Sequence, residues 1–208
     1  GGFIGRNLSE YLPVRGYEVH AFTHNTLDLF DESAVAEKLS TINPEVVIHC
    51  AAVGGSRKTG YDAGSTDVVS KNLRMFFNLT RGLKPGMRML HMGSGAEYDK
   101  RYSLPKMSED CFDVHVPADG YGYAKYVISR YIAKTDNITC LRIFGLYGKY
   151  EDYTYKFISN AIVRSLMGLP IVINQNATFD YLWIEDFCGI VGRFLEVKPK
   201  YAHYNITP

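Results

Sequence analysis

The chain has 208 residues, 46% of them hydrophobic, with 23 Lys plus Arg against 22 Asp plus Glu. That length fills one large domain, or one domain and part of another, and excludes a disordered chain or a stapled miniature. A formal net charge of +1 leaves no surplus to attract phosphate backbones or anionic lipid, so neither nucleic acid nor membrane is expected as a partner. Cys50, Cys111, Cys140 and Cys188 are far apart and form no CxxC pair. That spacing argues against zinc and disulfide frameworks, fits a reducing, cytoplasmic compartment, and leaves no metal expected. No apolar run reaches the ~18 residues of a membrane span, and no signal peptide opens the sequence.

In chain order, Gly1-Gly2-Phe3-Ile4-Gly5 reads as the latter part of a glycine-rich turn that enters a helix over 5–12. The strand that should precede such a turn is expected to lie outside these residues. Gly16 and a strand over 18–23 follow at the spacing of a βαβ unit. A helix is expected over 31–42, a short apolar strand over 45–50 and a helix over 67–83, where Leu73, Phe76, Phe77 and Leu79 return an apolar stripe to one side. A strand over 88–92 leads into a long irregular stretch, 97–119, of a length that is uncommon unless it binds or covers something. A helix over 122–134, a strand over 138–144 and a helix over 155–167 continue the alternation. Short strands over 170–173 and 180–184, a helix over 185–196 and a strand over 204–206 complete it. Strand and helix alternate throughout, which right-handed crossovers fold into a doubly wound parallel α/β sheet. Residues 1–150 form the expected dinucleotide-binding unit, and 151–208 a mixed region with part of a small, incomplete substrate-binding lobe.

Glycines at 1, 2 and 5 let backbone approach a pyrophosphate at a helix N-terminus, which marks Gly1, Gly2, Phe3, Ile4 and Gly5 as candidate cofactor residues. The next strand ends Phe22-Thr23-His24-Asn25, without the carboxylate that usually binds the NAD ribose. A 2′-phosphate is easier to place there, with His24 beside it, so NADP is favoured over NAD. Tyr121 and Lys125 are four apart on a helix and share a face. A free phenol is a poor base at neutral pH, and a nearby ammonium stabilises its phenolate. Ser94, just past a strand end, can donate to the same substrate oxygen. Of the neighbouring tyrosines, Tyr123 points away from Lys125 and Tyr126 lies on the wrong face. Together Ser94, Tyr121 and Lys125 are the candidate reaction centre for hydride exchange with a carbonyl.

These pieces resemble the extended short-chain dehydrogenase/reductase superfamily with its Rossmann-like fold, and within it the NAD(P)-dependent nucleotide-sugar epimerases, dehydratases and reductases. The resemblance runs from Gly2-Phe3-Ile4-Gly5 through Leu27-Asp28-Leu29, His49-Cys50-Ala51-Ala52, Asn72, Gly93-Ser94, Tyr121-x-x-x-Lys125, Leu141 to Gly148, and Asp180-Tyr181-Leu182-Trp183-Ile184-Glu185-Asp186. It implies that Asp28, with Leu29 beside it, holds the adenine, that Ala51, Ala52 and Val53 line the cofactor, and that Asn72 braces the active-site helix. It also implies that Tyr121 and Lys125 touch the nicotinamide end, and that the protein is a homodimer acting on a nucleotide sugar.

The nearest likeness within the superfamily is to the GDP-fucose synthase family, through 25–31, Ala51-Ala52-Val53-Gly54-Gly55, 93–100 and 107–109. That family epimerises with a Cys and a His. Ala96 stands where the Cys is expected, and 149–157 contains no His. Hydride transfer at a sugar carbonyl, as a 4-keto reductase or epimerase, needs neither. Gly95-Ala96 replace the acidic pair of the dehydratases. Gly145 replaces an Asn, and Phe179 an Arg, that touch the nucleotide sugar in the family, which leaves Arg164 as a candidate substrate contact. These departures keep two alternatives open: a dinucleotide-binding sensor or scaffold without catalysis, and a reductase of a small carbonyl compound without a nucleotide.

Overall fold

In the computed structural model, residues 1–54, 67–102, 105–173, 176 and 178–208 are described. Gly55, and residues 103 and 104 of the long irregular stretch, lie outside them. The chain runs through α1 (Phe3–Val14), α2 (Glu32–Ile42), β1 (Val46–His49), α3 (Asp67–Gly82), β2 (Arg88–Ser94) and α4 (Gly120–Ile132). It continues through β3 (Ile138–Ile143), β4 (Leu146–Tyr147), α5 (Phe157–Leu166), β5 (Leu182–Trp183), α6 (Ile184–Glu196) and β6 (His203–Ile206).

The strands β1-β2-β3-β6 form one four-stranded parallel sheet in that order. Registers run from Val46 opposite Arg88 to His49 opposite His91, from Met89 opposite Ile138 to Ser94 opposite Ile143, and from Cys140 opposite His203 to Ile143 opposite Ile206. Every carboxyl end therefore faces one edge, where the following loops gather.

Side chains alternate across the sheet with the strand period of two. Leu90, Met92 and Leu141 meet Leu8 and Leu12 of α1 and Phe187, Cys188 and Val191 of α6 on one face. Met89 and Cys140 meet Val35 and Leu39 of α2, Phe76 and Leu79 of α3, and Ile128 and Ile132 of α4 on the other. Helices thus cover both faces, as the alternating pattern requires, and the fold is Rossmann-like. Phe76, Phe77 and Tyr131 pack edge-on between α3 and α4, so these aromatics serve packing within the chain.

Several boundaries differ from expectation. The first helix starts at Phe3 rather than Gly5, with Gly2 at its N-cap. Residues 18–23 make no ladder: Tyr17 and Val19 pack on the α1 and α6 core, but no described strand lies beside them to take their backbone bonds. Residues 170–173 are also outside any ladder, with Ile171, Val172 and Ile173 exposed. The expected strand over 180–184 is only Leu182–Trp183, paired in parallel with the unforeseen strand Leu146–Tyr147. β2 continues to Ser94, so the candidate serine lies inside the ladder. α4 begins at Gly120, two residues early, because Asp119 accepts from the Gly122 N–H at 2.9 Å and caps the helix. A single 3₁₀ turn at Gly95–Glu97 leads into the irregular stretch, which carries two more at Lys100–Tyr102 and Glu109–Cys111. All four cysteines are free thiols. Among the described residues, no helix is long and apolar enough to cross a membrane and no cluster of metal-ligating side chains occurs.

Candidate active site

The first turn of α4 carries Tyr121 at the carboxyl edge of the sheet, and one turn later Lys125 points inward. Lys125 is 2% exposed. Its Nζ donates to the Met92 carbonyl at 2.6 Å, lies 3.4 Å from His91 Nε2, and is 5.9 Å from the centroid of the Tyr121 ring. The Tyr121 ring stands against Gly54: a Cβ there would sit 3.7 Å from Tyr121 Cδ2, and Gly54 has φ +83°. Tyr126 is turned away to Asp113 and Arg130, and Tyr123 is exposed.

Ser94 ends β2, two residues beyond the carbonyl that holds Lys125. Its Oγ accepts from the Ala96 N–H at 3.1 Å, and its N–H donates to Glu97 Oε1 at 2.9 Å. This capping box folds the chain into a 3₁₀ turn. The Ser94 hydroxyl proton remains available to a ligand.

Glu97 is fully buried and was not anticipated. Its Oε2 receives Arg142 Nε at 2.6 Å and the Ser129 hydroxyl, tying β2, β3 and α4 together. Arg142 Nη1 donates to Tyr98 Oη at 3.0 Å, and Tyr98 Oη donates to Asn205 Oδ1 at 2.7 Å, which extends the chain of contacts to β6. Arg142 Nη2 is buried without a hydrogen-bond partner among the described residues. Gly93 is required here, because a Cβ would collide with Cys140 Sγ and Glu97 Oε1.

His49 and His91 were equally unforeseen as site residues. They are register partners on β1 and β2, buried, with Nδ1 atoms 3.0 Å apart. Burial, and then the Lys125 charge, hold His49 down at about 3, and the same causes hold His91 well below the usual histidine range. Burial raises the Cys50 thiol to about 12, which keeps it protonated at neutral pH. The signal available in sequence was a polar residue inside an apolar strand: His49 after Val46-Val47-Ile48, His91 within Met89 to Met92, and Arg142 within Cys140 to Ile143.

The cofactor candidates fall into three groups. At α1, a Cβ on Gly2 would meet nothing within 4 Å, and one on Gly5 would lie 3.6 Å from Cys50 Cβ. No side chain caps this helix and no acid occupies its first turn. Phe3 and Ile4 pack their side chains into the core, leaving only backbone for a ligand. A second group, His24 and Asp28, lines a cleft of about 290 Å³ with Asn25, Glu37 and Lys38. The Asp28 carboxylate also accepts from the Phe30 N–H at 2.9 Å, whereas the Leu29 side chain packs into the core. In the third group, Ala51 and Ala52 are exposed at the sheet edge and Val53 is half-buried.

Among the described residues, the hydrogen bonds of Asn72 run to the loop after β1 and to its own helix rather than to α4. Its amide receives the Val53 N–H at 3.0 Å and donates to the carbonyls of Val53 at 2.8 Å and Val68 at 2.7 Å, so it clamps the loop after β1 onto α3. Both of its N–H groups are thereby used within the chain, to the carbonyls of Val53 and Val68.

The substrate candidates are less concentrated. Ala96 is buried, its carbonyl in close contact with Gly122. Gly145 has no room for a side chain: a Cβ would collide with the Asp180 carbonyl, and the Gly145 carbonyl accepts from the Leu182 N–H at 2.9 Å. It cannot present the side chain expected of that position. Arg164 Nε donates to the Pro170 carbonyl at 2.6 Å, which satisfies part of its guanidinium within the chain. Phe179 is exposed.

The profile described as the NAD dependent epimerase/dehydratase family matches residues 1–207. A GDP-L-fucose synthase from Azorhizobium caulinodans is 25% identical over 218 residues, covering 94% of this chain and 69% of that protein. Among solved structures, a Campylobacter jejuni GDP-mannoheptose C4 reductase with NADP bound superposes with a TM-score of 0.80 at 17% identity, covering 99% of this chain and 77% of the other. The Thermus thermophilus UDP-glucose 4-epimerase in complex with NAD gives 0.78 at 20% identity, covering 99% and 75%. At these identities the structures establish the likeness of fold.

Two outcomes follow from the buried polar groups. Glu97→Ala leaves the Arg142 guanidinium buried without its counter-charge and should lower unfolding free energy by about 3–5 kcal/mol. In urea unfolding, a Glu97→Met, Arg142→Met double variant should recover part of that loss. The neutral imidazoles of His49 and His91 acquire protons near pH 6.5 once unfolded, so the unfolded state binds more protons below that pH. Stability should therefore fall as pH drops below about 6.5 towards the folded values, about 3 for His49 and well below the usual histidine range for His91, by roughly 1 kcal/mol per pH unit for each imidazole. Urea midpoints between pH 7 and 5 check this, and a His49→Asn, His91→Gln double variant should lose that slope.

Proposed function

The chain belongs to the NAD dependent epimerase/dehydratase family, and from that premise we propose that it is an NADP-dependent reductase or epimerase acting by hydride transfer at the carbonyl of a nucleotide sugar. One observation carries the reading: a buried ammonium, Lys125, lies 5.9 Å from the centroid of the Tyr121 ring at the carboxyl edge of the sheet.

The residues fit a dinucleotide. The uncapped start of α1 offers its N–H groups and positive end to a pyrophosphate, and the bare Gly2 leaves the approach open. The cleft of His24, Asp28 and Lys38 suits the adenosine end, with His24 and Lys38 as the cations a 2′-phosphate would meet. Ala51, Ala52 and Val53 form the intervening edge, with Val53 held in place by Asn72.

When bound, the nicotinamide supplies or accepts the hydride. Tyr121 gives its phenol proton to the carbonyl oxygen as the carbon gains hydride, and recovers it in the reverse direction. Lys125 stabilises the phenolate left behind, and Ser94 donates a hydrogen bond that orients the oxygen. Ala96 has no proton to exchange at the neighbouring carbons, which favours chemistry confined to one carbonyl. A second reading, reduction of a carbonyl compound without a nucleotide, draws on Gly145, where no side chain can reach a nucleotide sugar.

Tyr121→Phe should reduce NADPH-dependent turnover by at least about 100-fold while leaving NADPH affinity within about threefold, because the lost hydroxyl acts only in the transition state. Steady-state kinetics over 4-keto nucleotide sugars and small carbonyl compounds, with NADPH binding by fluorescence, measures both. Retained turnover in the variant would refute the assignment, and the substrate panel separates the two readings.

A further inference from the structure

Lys125 is held from below by a pair of buried imidazoles whose proton positions the geometry determines. An ammonium has only donors. His91 Nε2, 3.4 Å from Lys125 Nζ, must therefore accept, and the proton of a neutral His91 is on Nδ1. That N–H points at His49 Nδ1, 3.0 Å away, which must accept in turn, so His49 carries its proton on Nε2. His49 Nε2 is a buried atom with no hydrogen-bond partner among the described residues. The opposite polarity would aim a His91 Nε2–H at the ammonium, donor against donor. One direction of hydrogen bonding is thus allowed, from Lys125 through His91 to His49.

The surroundings keep this arrangement neutral. Phe76 of α3 packs edge-on to the His91 ring at 5.2 Å, and Cys140 of β3 is the register partner of His91. Lys125 is the charge that reaches both imidazoles, and the thiols of Cys50 and Cys140, their titratable neighbours, experience it too. A ring that cannot take up a proton beside the ammonium can only accept from it.

We propose that His91 is a positioning residue which, backed by His49, accepts a hydrogen bond from Lys125 and fixes the ammonium beneath Tyr121. The Met92 carbonyl supplies a second fixed acceptor, so two of the three ammonium donors are directed by β2. The role rests on the reading of Lys125 as the partner of Tyr121.

Histidine ¹⁵N NMR of the full chain tests the relay without any variant. It should find His91 as the Nδ1–H tautomer and His49 as the Nε2–H tautomer, with neither titrating between about pH 8 and 5.5. The opposite tautomers, or titration near the ordinary histidine value, would overturn the relay. For the role, His91→Leu removes the acceptor and His91→Gln returns an oxygen at similar reach. His91→Leu should lower kcat roughly 10- to 100-fold with KM little changed, and His91→Gln should restore most of it. Unchanged kcat in His91→Leu, or failure of His91→Gln to exceed it, would overturn the positioning role. A wild type that binds NADPH but turns over no carbonyl substrate would refute the catalytic reading and the role together, while the tautomers still decide the relay by themselves.

Discussion

A guanidinium buried inside a parallel sheet must meet a counter-charge, and the pairing of Arg142 with Glu97 sets the geometry of the whole carboxyl edge. Arg142 on β3 is the register partner of Gly93 on β2. The missing Gly93 side chain opens the space that the Glu97 carboxylate fills. To reach that space the chain must turn sharply after Ser94, and the same carboxylate takes the Ser94 N–H. It also takes the Ser129 hydroxyl, which anchors the last turn of α4, the helix that carries Tyr121 and Lys125. One buried ion pair therefore fixes the strand end and the helix between which the proposed chemistry occurs. Such a pair contributes little net stability over an apolar replacement, so its value here is positional.

The second buried cation is accommodated differently. Lys125 has no carboxylate within salt-bridge distance among the described residues, and its ammonium is met by a carbonyl and a neutral imidazole. In the proposed mechanism, a carboxylate would neutralise the charge that helps Tyr121 give up a proton. Neutral acceptors hold the ammonium while leaving its field unquenched. The two cations have different partners because they play different parts. Arg142 organises the scaffold, and Lys125 faces the site.

Much of this was legible in sequence. Alternating helices and strands predicted the doubly wound sheet, since each strand is a short apolar run and each helix has one apolar side. The spacing of Tyr121 and Lys125 placed them on one helical face, as the structure has them. What escaped was set by tertiary partners. The segment 18–23 has strand composition, yet a strand exists only through a neighbour's hydrogen bonds, and none is described beside it. Asn72 reads as polar on a helix, and nothing local reveals that it clamps Val53. Arg142, His49 and His91 stand in apolar strands, where composition alone cannot say which polar groups face one another across the sheet.

The substrate end is constrained by backbone rather than by side chains. Gly145 sits between β3 and β4 with its would-be Cβ against the Asp180 carbonyl, while its own carbonyl receives the Leu182 N–H that starts the β4 and β5 pairing. Restoring a polar side chain at this position would push β5 away from β4 and disturb the two-stranded sheet that carries Trp183 and leads into α6. The absence of a side chain at Gly145 is therefore coupled to how the β4 and β5 pair is folded. A ligand approaching this edge would meet the exposed rings of Phe144, Phe179 and Trp183 rather than an amide. Flat apolar faces of that kind suit stacking against a base or the apolar side of a sugar ring.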